Sequence, residues 1–288
     1  MTKKENNPTK SLKIPQFIIV SAKICAFFST KLVTSYAAKL FTTPIKHKVP
    51  KRELEMEQKS IQKTIPVPAI HKSVVTYEYG KSDRKILLVH GWSGRGTQLF
   101  KIADELLKNG YSTVSFDAPA HGKSEGKSTI MSEFIASILE IEKQFGPFEF
   151  AIGHSLGGMS VLNAIKDGLQ VKKAVIIGSG DIVQDILDDF VAKLELKQEI
   201  SERMRAHFED KYQVKMDDFS AYRAAQKVKI PVLVIHDHDD PEVSVKAGIH
   251  IHKQLENGTL YLTEGLGHRK ILGNQNVIKK TLDFIKTS

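Results

Sequence analysis

Residues 150–158 read FAIGHSLGG: an apolar run meets Gly153, then His154, Ser155 and Leu156, then Gly157 and Gly158. The following stretch, GMSVLNAIKDG, has helix-compatible spacing, so the segment reads as strand, sharp turn, helix. A turn that tight holds its central residue in a strained backbone conformation and lifts the side chain clear of the sheet edge. Side chains two positions before and after Ser155 would collide there, which accounts for Gly153 and Gly157. The helix that starts at Ser155 aims its amide dipoles at any negative oxygen formed beside the hydroxyl. Ser155 is therefore a candidate nucleophile, set against the plainer reading of a structural serine in a tight turn.

Working outward, strand-like and helix-like stretches alternate from about residue 61. IQKTIPVPAI and KSVVTYEYG read as an antiparallel pair. KILLVH is a short apolar run of the kind buried on both faces. TQLFKIADELLKN is helical in spacing and stops at Gly110. YSTVSFDA, FEFAIG, AVIIG, PVLVIHD and TLYLTEG supply further strands, with helical segments between most of them. This alternation predicts an α/β fold: right-handed crossovers, a mostly parallel eight-stranded sheet and helices on both faces. About fifty residues, 181–229, separate two adjacent strands where a dozen suffice, so a helical cap insertion is expected there.

Four separated motifs, HGWSGRG (90–96), FDAPAHGKS (116–124), GHSLGG (153–158) and GLGHRKIL (265–272), resemble the α/β-hydrolase superfamily across residues 61–288. The resemblance implies a serine nucleophile, then an acid, then a histidine, each after a successive strand. His268 takes the position of the base. Asp237, Asp239 and Asp240 compete for the acid in HDHDDPEVS. Aligning Val243 with the valine of the family pattern selects Asp240, with Asp239 next. The oxyanion hole falls to the backbone amides of Leu156 and Trp92, and the Trp92 indole is also placed to wall an acyl pocket. Phe190, Leu194, Leu196, Met204 and Phe208 pack the insertion; Phe190, Leu194, Met204 and Phe208 are also pocket candidates. His121 is read as structural.

Composition narrows the rest. Residues 1–52 carry eleven Lys/Arg against one acid, a net +10 against +9 for the whole chain, so the body from residue 53 carries −1 and is near neutral. That argues against a nucleic-acid-binding face. Within the basic segment, residues 14–41 are apolar but broken by Lys23, Lys31 and Lys39, too short in any charge-free piece to span a bilayer. A signal peptide is disfavoured because Lys23 splits the apolar region and no A-x-A site follows. A helix is expected instead, with Ile24, Phe28, Leu32, Tyr36 and Leu40 at every fourth position. It serves either as an arm packed on the domain or as an interfacial anchor on anionic membrane. The single cysteine, Cys25, excludes a disulfide framework and fits a cytoplasmic protein.

A dinucleotide-binding reading fails because GWSGRG has the wrong glycine order, and a phosphate-loop reading fails because PAHGKS has Asp117 where a P-loop needs glycine. The pairs His236/His238 and His250/His252 lack a third ligand at metal spacing, so no metal or cofactor is expected. The resulting expectation is a serine esterase of lipase-like type acting through an acyl-enzyme on a small or lipid-like ester. Peptidase, thioesterase, acyltransfer, carbon–carbon hydrolysis and a haloperoxidase-like side activity fit the same three residues. A non-catalytic ligand sensor on the same scaffold is the alternative from another class.

Overall fold

The computed structural model describes residues 14–287; Lys3, Lys4, Glu5, Lys10 and Lys13 of the basic segment lie outside them. The chain begins with two helices, α1 (Gln16–Phe28) and α2 (Thr30–Phe41), and a short α3 (Leu54–Lys59) leads into the sheet. There follow β1 (Ile61–Val67), β2 (Lys72–Tyr79), β3 (Lys85–Val89), α4 (Phe100–Lys108), β4 (Ser112–Asp117) and α5 (Met131–Phe145). The centre of the chain gives β5 (Phe150–His154), α6 (Leu156–Lys166), β6 (Lys173–Ile177), α7 (Val183–Lys193), α8 (Glu199–Tyr212) and α9 (Ala221–Ala225). It closes with β7 (Val232–Asp237), α10 (Val245–Gln254), β8 (Gly258–Thr263), α11 (Gly267–Lys270) and α12 (Gln275–Lys286).

The eight strands form one sheet in the order β1-β2-β4-β3-β5-β6-β7-β8. β2 pairs antiparallel with β1 and β4, and every later pair is parallel. The order reverses at β3, whose neighbours are β4 and β5, and such a reversal opens a crevice at the strands' carboxyl ends. Alternate residues of the central strands enter two cores. Leu87, Val89, Ala151, Val232 and Val234 face α5, α6, α9 and α10, while Ile86, Leu88, Ile152, Leu233 and Ile235 face α4 and α12. Burial on both faces explains why KILLV reads as an unbroken apolar run, each such side chain contributing about 1.5–3 kcal/mol.

The N-terminal segment departs from the single helix expected over 14–41. Ser29 is extended (φ −165°, ψ 132°) and its hydroxyl accepts from Leu32 N at 3.4 Å, so it caps a second helix. The two helices fold back on each other, joined by Ser21 Oγ and Tyr36 OH at 2.7 Å. Ala22, Val33, Ala37 and Ala38 then form a third core with Leu187, Val191, Leu194, Ile200, Met204 and Phe208 of the insertion. Within the insertion, α7 and α8 pack on this hairpin, whereas Ala221, Ala224 and Ala225 of α9 belong to the main core. Among the described residues, no helix is long and apolar enough to cross a membrane.

Candidate active site

Ser155 stands between β5 and α6 with φ 54° and ψ −122°, a left-handed conformation that non-glycine residues adopt only where packing imposes it. The packing is visible. A Cβ on Gly153 would lie 2.4 Å from Gly157 O, and one on Gly157 would lie 2.4 Å from Val89 O and 2.5 Å from His90 O. The elbow is thus pressed against the end of β3, where the loop carrying Trp92 begins. The amides of Trp92 and Leu156 have no acceptor among the described residues, and both residues line the same cavity as Ser155.

A buried polar frame holds the Trp92 loop. Asp117, at the end of β4, accepts from Gly96 N (2.7 Å), Lys123 N (2.7 Å) and Tyr77 OH (2.8 Å). Burial raises its carboxyl above the usual range, the three hydrogen bonds opposing that shift. His121 Nε2 accepts from Ser93 N at 3.0 Å, its Nδ1–H donates to Pro119 O, and its ring meets Trp92 edge-on at 5.3 Å. His90 Nε2 accepts from Ala118 N at 3.0 Å while Nδ1–H donates to Gly91 O. Both rings therefore work as neutral imidazoles. Burial pushes His90 down to about 4 and His121 down to about 3. The structural role read for His121 thus has a specific content: it fixes the loop that presents the Trp92 amide.

The three competing aspartates separate by partner. Asp240 Oδ2 lies 2.7 Å from His268 Nδ1, and its Oδ1 accepts from Glu242 N (2.8 Å) and Val243 N (2.9 Å). Burial alone would raise the Asp240 carboxyl. Hydrogen bonds from His236 and His268, the charge of His268 and the Val243 amide outweigh it and hold the group below the ordinary carboxylate range. Asp237 instead braces the His268 loop, accepting from Thr263 Oγ1 (2.6 Å), Leu266 N (3.1 Å) and Gly267 N (2.9 Å). Asp239 does the same through Gly265 N at 2.8 Å. Sequence reasoning had no role for His236. Its Nε2–H donates to Val243 O at 3.0 Å and sits 3.5 Å from Asp240 Oδ2, so it steadies the turn at Asp240.

The dyad rests over Gly178 at the end of β6, where a Cβ would come within 3.3 Å of His268 Nδ1. It is locked to the elbow by His154, whose Nε2–H donates to His268 O at 2.9 Å and whose ring centroid is 4.7 Å from that of His268. Burial pushes His154 down to about 3. Of the three predicted catalytic side chains, only Ser155 lines the cavity; those of Asp240 and His268 stand beside it, 1% and 6% exposed. Ser155 Oγ makes no hydrogen bond to His268 in this structure, and such contacts commonly tighten only with substrate bound.

The cavity measures about 840 Å³, large enough for a drug-sized apolar ligand. Of the predicted lining residues it brings together Trp92, Phe190 and Phe208. Leu194 and Met204 do not line it: both are fully buried in the core between the insertion and the N-terminal hairpin. The hairpin itself supplies walls that sequence reasoning missed. Leu40 and Phe41 line the cavity, and the Phe41 ring packs 5.2 Å from Phe190 and 5.9 Å from Phe208. His250, one of the set-aside histidines, also lines it and holds Asp181 through Nδ1 at 2.5 Å. Among the described residues, no cluster of three His, Cys, Asp or Glu forms a metal site.

Two family models match the sequence: one described as alpha/beta hydrolase fold over residues 85–195, and one described as TAP-like protein over residues 210–288. Comparison with curated proteins finds no match. Solved structures similar to this one include an esterase from Exiguobacterium antarcticum (16% identity, 79% of this chain and 100% of that chain, TM-score 0.63). An esterase of Pyrococcus furiosus aligns at 16% identity over 85% of this chain and 97% of its own (TM-score 0.64). A membrane phospholipase A, described as a bacterial virulence factor, aligns at 15% identity over 94% of this chain and 97% of its own (TM-score 0.63).

Proposed function

The chain belongs to the α/β-hydrolase superfamily, and from that premise we propose that it is a serine hydrolase cleaving carboxylic esters that carry an apolar acyl group. The observation that carries this reading is Ser155, strained at a strand-to-helix turn on the wall of a mainly apolar cavity, with two unpartnered amides beside it. In the proposed reaction, substrate binding brings the Ser155 hydroxyl to His268 Nε2, which takes its proton as Oγ attacks the ester carbonyl. Asp240 fixes the imidazole through Nδ1–H and stabilises its protonated form. The amides of Trp92 and Leu156 receive the negative oxygen, each such donor being worth about 10²–10³ in rate. His268 returns the proton to the departing alkoxide. Water then attacks the acyl-enzyme by the same route in reverse roles.

The apolar walls, Phe41 and Phe190 among them, favour a lipid-like acyl chain. The esterases and the membrane phospholipase A among similar structures are in keeping with that substrate class. A series of p-nitrophenyl esters from acetyl to palmitoyl tests it. Each buried methylene is worth about 0.8 kcal/mol, about fourfold in kcat/KM, until the cavity is filled. A flat profile, or turnover that persists in Ser155→Ala, would overturn the proposal. Comparing ester, thioester and anilide leaving groups on one acyl chain separates esterase from thioesterase and peptidase action, which fold alone does not distinguish.

A further inference from the structure

The outer face of α1 presents Phe17, Val20, Ile24 and Phe27 at three- and four-residue spacing, all of them exposed, with Phe27 86% accessible. Phe28 and Leu32 carry the stripe across the Ser29 turn onto α2. The opposite face of α1, with Ile19 and Ala22, is buried. Single exposed apolar residues are ordinary; a contiguous row containing three phenylalanines marks a docking face. Lysines border it. Lys31 and Lys39 have no carboxylate partner within salt-bridge distance among the described residues, while Lys23 pairs with Glu195.

We propose that this face docks on an anionic bilayer surface, with α1 lying in the interfacial plane. Its 13 residues make a helix of about 20 Å, short of the roughly 30 Å hydrocarbon core, so it lies on the membrane rather than crossing it. Charge selects the occupant. Pairing two copies of the chain through this face would bring together Lys31 and Lys39 of each copy, unpaired among the described residues, whereas anionic headgroups neutralise them. A second feature agrees: Lys39, Lys127, Lys211 and His207 surround a small cavity of about 330 Å³ that also holds the Ser35 and Thr42 side chains. None of those three lysines is ion-paired within the described residues. Lys39 sits seven residues beyond Leu32, about 10 Å along α2, within reach of a lipid phosphate when the stripe is seated. The C-terminal end of the same helix, Leu40 and Phe41, walls the cavity at Ser155, so the docked hairpin holds that cavity beside the lipid surface.

Cosedimentation of the full chain with vesicles of phosphatidylcholine, with and without phosphatidylglycerol, tests this. Binding is expected to require phosphatidylglycerol and to weaken with salt. Phe27→Ser/Phe28→Ser, at exposed positions, should lower the partition coefficient on the order of a hundredfold. Lys31→Glu/Lys39→Glu should lose the preference for phosphatidylglycerol, each lysine being worth about fivefold. Ser155→Ala should bind like the wild type, and the phenylalanine variant should still hydrolyse a short soluble ester, which keeps docking separate from catalysis. Wild-type protein that ignores phosphatidylglycerol vesicles, or variants that bind equally, would overturn the proposal. So would a wild-type dimer that Phe27→Ser/Phe28→Ser converts to monomer without any vesicle binding, because the face would then belong to a second copy.

Discussion

Replacing Gly157 by alanine tests whether the elbow works through its packing on β3. The added Cβ would lie 2.4 Å from Val89 O and 2.5 Å from His90 O. Both are backbone oxygens that no rotamer change can move. Relieving the contact to an ordinary separation needs a shift of about 1 Å between α6 and the end of β3, the two elements that present the Leu156 and Trp92 amides. Misplacement of that size costs about 10²-fold in rate, and overpacking of this kind costs about 1–3 kcal/mol in stability. The neighbouring Gly158 is the control. Its Cβ would meet the Ser179 side chain at 3.0 Å and Ile176 Cβ at 3.3 Å, contacts that small adjustments relieve. Gly157→Ala is therefore expected to lose about 10²-fold in kcat on p-nitrophenyl butyrate, and Gly158→Ala less than about tenfold, with urea melts recording stability. Equal activity in the two variants would refute the packing argument.

Exchanging the aspartates one at a time should give Asp240→Asn a loss of about 10⁴ in kcat. Asp239→Asn, whose carboxylate accepts only from Gly265 N, should lose less than about tenfold; the reverse order in steady-state assays would reassign the acid. Burial holds His90, His121 and His154 neutral in the fold, at about 4, about 3 and about 3 against 6.5 for a free imidazole. The unfolded chain therefore binds more protons below pH 6.5. Stability contributed by these three rings is full above that value and lost as pH falls towards 4, by about 1.4 kcal/mol per unit for each ring. Urea midpoints at about pH 7.5 and about pH 5.5 measure this, and equal midpoints would contradict the neutral assignment. Glu53 accepts from Arg95 (2.9 Å) and Thr97 (2.8 Å) behind the Trp92 loop, nearly buried. Glu53→Gln leaves Arg95 unpaired and should cost about 3–5 kcal/mol in denaturant unfolding.

What was legible in the sequence follows from how local each constraint is. β3 reads directly because both of its faces are buried, and the Ser155 turn reads because Gly153 and Gly157 have no room for side chains. The alignment on Val243 rests on contacts of that residue: its amide donates to Asp240 and its carbonyl accepts from His236. The braces made by Asp237 and Asp239 could not be read, because they depend on β8 and the loop after it lying alongside β7. Leu194 and Met204 show the limit for apolar residues. Helical spacing is the same whether a side chain faces a cavity or a partner helix, and here the partner is the N-terminal hairpin. The hairpin was hidden for a related reason: a fourth-residue apolar row runs straight through Ser29, and only its hydroxyl cap signals the break. With the hairpin unread, Leu40 and Phe41 had no route to the cavity.

Labelling with a fluorophosphonate probe, followed by peptide mass spectrometry, asks whether Ser155 is an activated nucleophile. A single adduct on Ser155 is expected, absent in Ser155→Ala and formed far more slowly in His268→Ala. A native protein that resists the probe, or carries the adduct on another residue, would contradict it.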